Sequence, residues 1–450
     1  MLKTWLAQQA YSLLLRLFTP AYVGRVWQRG RQEPSYRIAW PQRLGFYGPA
    51  YRRALAVAQA QVRAAKAPLL WVHAVSLGET LAAKPLIAAL RDTWPGMRLV
   101  LTHSTATGRE AGQALLQDGD VQTWLPYDTP GAVRRFLRLH QPFVGVLMET
   151  EIWPNLQREA ARHSVPMVLA NARLSEKSLR QAVRFAPLLL PAAQGVSMAL
   201  AQTQADAQRL RQAGVAHVEV CGNVKFDLTP APALLAKGRA WAASSERPIV
   251  LAAVTREGEE AALLAAWVKA LAGMQGTSSG VRPRLMIVPR HPQRFDEVAA
   301  LVTQQGLSLS RRSTWGVEGP DAQALASDVW LGDSMGEMAA YYAAAQVALL
   351  GGSFEPLGGQ NLIEAAACGC PLVMGPHTFN FAEAAQLSEA AGAALRVASL
   401  AEAVTLALEL LTQERRQSMA TQALHFAENH QGAARRMAQM ISNRLSFPRC

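Results

Sequence analysis

Eleven short apolar runs, rich in Val, Ile and Leu, recur along this chain in two sets, with stretches of helical character between them. The first set is Leu69–Val75, Arg98–Thr102, Phe143–Met148, Met167–Ala170, Val196–Ala201 and Val218–Cys221. The second is Ile249–Ala253, Leu285–Val288, Val329–Leu331, Val347–Leu350 and Leu372–Met374. A run that is apolar on both faces suits a strand buried on both sides, the condition of a parallel sheet covered by crossover helices. The pattern predicts an α/β fold of two doubly wound, Rossmann-like domains. Most runs are followed closely by Ser, Thr, Gly, Asn or His, as expected where strand carboxyl ends meet a ligand. Two such domains facing each other leave a cleft in which the polar motifs gather.

Charge is spread unevenly. The first 66 residues carry eleven Lys or Arg against one acid, Glu33, whereas the remainder holds 34 basic and 32 acidic residues. The larger part is therefore near-neutral, and nucleic-acid binding has little support. Within the basic segment, Leu2–Thr19 reads as a helix: Leu2, Leu6, Ala10, Leu13, Leu14, Leu17 and Phe18 share one face, and Thr4, Gln8, Ser12, Arg16 and Thr19 the other. Pro20 is expected to stop it. Its uncharged run, Thr4 to Leu15, falls short of the ~20 apolar residues of a bilayer span. Arg25, Arg29, Arg31, Arg37 and Arg43 follow, interleaved with Tyr22, Trp27, Tyr36 and Trp40. That mix suits an interfacial helix on an anionic leaflet, at roughly 1 kcal/mol per basic residue. The alternatives are a helix packed on its own domain and a cleaved signal peptide, the latter a poor fit because Gln8 and Gln9 interrupt the apolar core and no small-residue cleavage site follows.

The expected organisation is a docking segment 1–47, a first Rossmann-like domain 48–227, a connection 228–247, a second Rossmann-like domain 248–425, and a helical tail 426–450 that returns to the first domain. Phe185 to Ala205 is uncharged but interrupted by Pro187, Pro191 and Gly195. Ser278 to Pro283 reads as a surface loop. Cys221, Cys368, Cys370 and Cys450 form no spaced ligand pairs and read as reduced thiols. Cys368-Gly369-Cys370 is either a redox pair or two small residues in a turn.

The motifs follow strand ends. After the first run comes His73-Ala-Val-Ser76-Leu-Gly78-Glu79-Thr80, which leads into a helix. Glu79 is either a helix cap or a general base. The third run ends in Met148-Glu149-Thr150-Glu151-Ile152-Trp153-Pro154-Asn155. Two acids there are costly unless paired or open to a cleft, so one is read as functional and the other as serving the turn. Asn171-Ala-Arg173-Leu-Ser175 offers cationic and hydroxyl groups. Lys225 either holds an anion or pairs with Asp227. In the second half, Pro289-Arg290 puts a guanidinium beyond a strand, where it can fork onto phosphate. Met335-Gly336-Glu337 opens a helix. Gly351 to Ala366 is glycine-rich and leads into a helix near Asn361 that can receive a nucleotide phosphate, with Glu364 able to accept from ribose hydroxyls. Neither a Walker sequence nor an opening Gly-x-Gly-x-x-Gly is present, so a nucleotide-sugar site is favoured over NTP hydrolysis or hydride transfer.

Over nearly its whole length the chain resembles the Kdo (3-deoxy-D-manno-octulosonic acid) transferases of lipid A assembly. The resemblance rests on His73–Glu79, Glu149–Pro154, Asn171–Ser175, Lys225–Asp227, Pro289–Pro292, Met335–Glu337, Gly358–Glu364 and Met374–Phe381. It implies a GT-B fold and Glu79 as proton acceptor, with Glu149 and Lys225 as transition-state stabilisers. It also implies CMP binding by Pro289, Arg290, Met335, Gly336, Glu337, Asn361, Leu362, Ile363 and Glu364. The activity implied is inverting transfer from CMP-Kdo to a lipid A precursor of the lipid IVA type, in lipopolysaccharide core assembly. The enzyme would work without cofactor or metal, anchored by its N-terminal segment to the cytoplasmic side of the inner membrane. Arg256 and Gln360 stand where the family often carries His.

Overall fold

In a computed structural model, which describes residues 2–273 and 281–445, the chain divides into two compact units. One runs through Asp227 and takes in the segment from Gly432 onward; the other is Leu228–Gln431. The loop expected over Ser278–Pro283 lies partly outside the described residues, and Cys450 lies wholly outside them.

The first unit is built on seven parallel strands: β1 Leu69–His73, β2 Arg98–His103, β3 Val121–Trp124, β4 Val144–Met148, β5 Met167–Ala172, β6 Met198–Ala201 and β7 Val218–Val220. Their order is β3-β2-β1-β4-β5-β6-β7, so the chain reverses its direction of travel between β1 and β4. Strands β1 and β4 are buried at every position, as their unbroken apolar runs require.

The second unit repeats the plan with β8 Ile249–Thr255, β9 Arg284–Pro289, β10 Leu309–Arg311, β11 Val329–Leu331, β12 Val347–Leu350, β13 Leu372–Met374 and β14 Ala394–Arg396. The order β10-β11-β9-β8-β12-β13-β14 puts its reversal between β8 and β12. The sequence misses β3, β10 and β14, and these are sheet edges. Each is short and mixed in polarity, because an edge strand packs against fewer neighbours and needs no continuous apolar run.

Three expectations are corrected here. The first helix does not stop at Pro20 but runs Leu2–Arg29. Proline removes only its own amide donation, and the carbonyl thereby left without it, that of Arg16, belongs to an exposed residue that water can serve. The connection 228–247 is largely a helix, Pro232–Ser244, that belongs to the second unit: Trp241 is buried there edge-on to Trp315. The helical tail is broken at Gly432, which adopts φ 87° between the helices Arg415–His430 and Ala433–Arg444. The last helix buries Ala433, Ala434, Met437, Ala438 and Ile441 against the first unit's core.

The first helix meets its unit with the side that looks polar in sequence. Tyr11 donates to Asp128 at 3.0 Å, Ser12 donates to the Asn155 side-chain oxygen at 2.9 Å, and Gln8 reaches the Pro154 carbonyl at 3.4 Å. Its apolar side is uncovered, with Leu2 71%, Trp5 58%, Leu17 65% and Phe18 65% exposed. Tyr36 and Arg43, expected among the headgroup-facing residues, are instead buried, Tyr36 stacking on Trp124. No helix among the described residues is long and apolar enough to cross a membrane.

Candidate active site

The carboxyl ends of β1 and β4 flank the point where the strand order reverses, the place where open α/β sheets bind ligands. Glu79 and Glu149 emerge there. Ser76 caps the helix Leu77–Thr93, and Glu79 folds back over the same turn. One Glu79 oxygen accepts from the Val75 amide at 2.8 Å and the other from the Ser76 hydroxyl at 3.2 Å. The arrangement is a variant of the capping box. Glu79 thus caps its turn, as one of the two sequence readings has it. Burial raises its pKa, and so does the charge of Glu149, against the lowering effect of the Val75 amide, Ser76 and Lys225.

Glu149 ends β4 in the left-handed region, φ 56°, a conformation that costs a non-glycine residue about 1–3 kcal/mol. Its amide still donates to Ala170 at 2.8 Å, and its carboxylate lies 3.5 Å from the Lys225 ammonium. Lys225 therefore pairs with Glu149 and not with Asp227. Asp227 instead accepts from the amides of Gly432, Ala433 and Ala434 and caps the returning helix.

Two residues fix the Lys225 turn: Asn171, read in the sequence only as the head of the Asn171–Ser175 motif, and Gln202, which the sequence gave no reason to single out. Asn171, buried and also left-handed at φ 54°, accepts from the Val224 amide at 3.1 Å. Gln202 donates to the Asn171 carbonyl at 2.9 Å and accepts from Asn223 at 3.1 Å. No local pattern announces these contacts, because the partners are 21 to 53 positions apart. The turn before the helix Pro154–Arg162 is not served by Glu151. Asp128 accepts from the Asn155 and Leu156 amides at 3.0 and 2.7 Å. Glu151 lies in the field of Glu79 and Glu149, and burial together with those charges pushes its pKa up to about 7.

In the second unit, the predicted nucleotide residues follow β9, β11 and β12. Pro289 closes β9, and the Arg290 amide donates to Thr255 at 2.9 Å while its side chain is exposed. Met335 is 71% exposed, and Gly336 takes φ 78°. Burial would raise the pKa of Glu337, but hydrogen bonds from Lys237, Ser334 and Arg312 outweigh it and hold the group ionised below its ordinary value. Asn361 caps the helix Leu362–Ala367 by accepting from Ile363 at 3.1 Å, and the Leu362 and Ile363 side chains are buried. Glu364 is raised by burial.

The glycine-rich segment offers fewer free amides than its composition suggests. Gly352 donates to both oxygens of Glu259 at 2.8 Å, and Gly359 donates to the Gly352 carbonyl at 2.7 Å. Arg256 and Gln360 stand together over Gly352, where an added Cβ would meet them at 3.4 and 3.1 Å. The Pro376–Phe379 stretch lines a cavity of about 500 Å³ with Glu389 and Arg396. Cys221, Cys368 and Cys370 are unpaired, and burial pushes the Cys368 thiol up to about 12, which disfavours the thiolate a redox pair needs.

Residues 39–228 match the family described as 3-deoxy-D-manno-octulosonic-acid transferase (kdotransferase). A 3-deoxy-D-manno-octulosonic acid transferase of Bordetella pertussis is 45% identical over 97% of this chain and 99% of its own. That of Haemophilus influenzae is 31% identical over 96% and 97%. Among solved structures, a glycosyltransferase from Rickettsia africae superposes with a TM-score of 0.54 at 12% identity, over 84% of this chain and 99% of that one, which speaks to the fold alone.

Proposed function

The chain belongs to the Kdo transferase family and has its α/β, GT-B-type fold, and on that premise we propose that it moves Kdo from CMP-Kdo, with inversion, to a lipid A precursor. The observation that carries the reading is the setting of Glu79: a carboxylate held by two donors at a strand end, yet raised by burial and a like charge. A base of that kind takes the proton from a primary hydroxyl of the glucosamine disaccharide as it attacks, and typically contributes 10² to 10⁴ in rate. Positive charge grows on the sugar and negative charge on the leaving phosphate. Glu149 and Lys225 stabilise that charge separation in the first unit. In the second, Arg290 and the backbone at Gly336 and Asn361 receive the CMP phosphate, and Glu364 receives the ribose. CMP leaves through a single phosphate already esterified to the sugar, and the one Asp-x-Asp sequence, Asp118–Asp120, precedes the amino end of β3 with Asp120 tied to Arg91, so turnover proceeds without a divalent metal or cofactor.

The acceptor lies in a bilayer, and the uncovered apolar side of the first helix supports docking at the cytoplasmic face of the inner membrane. The deciding experiment assays Glu79→Gln with CMP-Kdo generated in place. Transfer should fall at least about 100-fold while CMP still protects the protein in thermal denaturation. A variant that transfers at the wild-type rate overturns the reading. Wild-type turnover should persist in EDTA; loss that magnesium restores overturns metal independence.

A further inference from the structure

A second group of polar side chains in the first unit is left unsatisfied by its own surroundings. Arg43, in the helical turn Trp40–Leu44, is 4% exposed, and its guanidinium sits 3.8 Å from the centroid of the Trp124 ring. It donates from Nη2 to the Ser104 carbonyl at 3.2 Å, but its Nε is buried with no acceptor. Arg109, on the helix Ala106–Gly112, is more open and approaches the same ring at 4.9 Å, and its Nη1 is also buried with no acceptor. The Tyr127 hydroxyl, in the field of Arg43, is a third buried donor without a partner.

Neither arginine pairs with a carboxylate among the described residues; Glu110, next in sequence to Arg109, is taken by Ser35. Burial works against the charge on both, and the field of Arg43 works further against that on Arg109. Taking a guanidinium out of water is costly unless it is compensated, and contact with one indole offsets only part of that cost. Two like charges on one ring, with no acid, form a site that lacks an anion. A phosphate matches the guanidinium fork.

The position is next to the candidate base. The amides of Ser104 and Thr105 donate to the Val75 carbonyl at 3.2 and 3.1 Å, and the Val75 amide holds Glu79. Gly108, beside Arg109, lies so close to that turn that a Cβ would stand 3.0 Å from the Ser76 carbonyl carbon.

We propose that Arg109 binds a phosphate monoester of the acceptor, with Arg43 on the same Trp124 ring adding its charge and the Tyr127 hydroxyl a further donor, and that this contact sets which sugar hydroxyl meets Glu79. The inference rests on the transferase reading and adds a specificity site to it. The same chemistry could serve a free phosphate or an anionic headgroup, and the test separates these sources.

Full-length wild type, Arg109→Gln and Arg109→Lys are assayed on the phosphorylated acceptor and on the same acceptor after phosphatase treatment. Wild type should favour the phosphorylated form by about tenfold or more in kcat/KM, the scale of one charged contact. Arg109→Gln should lose that preference yet match wild type on the dephosphorylated acceptor, with KM for CMP-Kdo unmoved. Arg109→Lys should keep part of it. Inorganic phosphate should raise the melting temperature of wild type and not of Arg109→Gln, a readout that does not depend on transfer. Because both acceptors are followed, loss of transferase activity and loss of phosphate discrimination are read separately. Equal losses on the two acceptors would assign Arg109 a structural role and overturn the proposal. So would intact discrimination with weakened binding to vesicles containing anionic lipid, which would assign the site to headgroups.

Discussion

At the scale of single residues, the first unit concentrates carboxyl groups where one of them has to stay basic. Glu79 and Glu151 both have raised pKa values, and each is raised partly by neighbouring carboxylates. Replacing Glu149 by Gln removes the like charge that raises Glu79, so the acidic limb of the kcat/KM profile should move to lower pH. An unmoved limb would show that Glu149 does not tune the base. Stability should respond too. Glu151 and Asp128 are both pushed up to about 7, above their unfolded values, so the folded state binds more protons between about pH 4 and 7, and unfolding free energy falls as pH rises across that window. Glu79, Glu149 and Lys225 were legible because strand, turn and motif coincide in a few adjacent positions. Gln202 and Asp128 were not, and Asn171 only as the head of a motif, since their significance lies in amides that the chain brings to them from far along its length.

At the scale of elements, the first helix is the place where pattern and packing part company. The apolar stripe was readable; that it would be left bare while Tyr11 and Ser12 made the contacts was not, because a helical wheel does not say which face meets protein. The two faces can be separated experimentally. Leu17→Ser with Phe18→Ser should weaken binding to anionic vesicles and leave the melting temperature unchanged, since neither side chain is buried. Tyr11→Phe should do the reverse, lowering stability by about 1 kcal/mol through the lost bond to Asp128 while vesicle binding persists. Unaltered vesicle binding by the serine pair would count against membrane docking. Central strands were readable from continuous apolar runs, whereas three of the four edges, β3, β10 and β14, were not, for want of such runs.

At the scale of the whole molecule, two doubly wound sheets were readable because the alternation of apolar and helical segments repeats itself. That the tail returns to the first unit was readable as well; the cap that starts its last helix was not. Asp227, the last residue before the second unit, binds three amides at the start of the final helix, and that helix packs on Leu77–Thr93, which carries Glu79. Asp227→Ala should cost about 0.5–2 kcal/mol, as the loss of a helix cap does, and should lower the denaturation midpoint of the first unit without altering protection of the second by CMP. A midpoint equal to wild type would mean that the cap carries no weight.

The return of the final helix also orders events during synthesis. A ribosome has delivered every strand of the second sheet before residues 432–445 emerge to cover the core of the first. The unit translated earlier is therefore completed last. A late nonsense codon would strip cover from the half that bears Glu79 and spare the other.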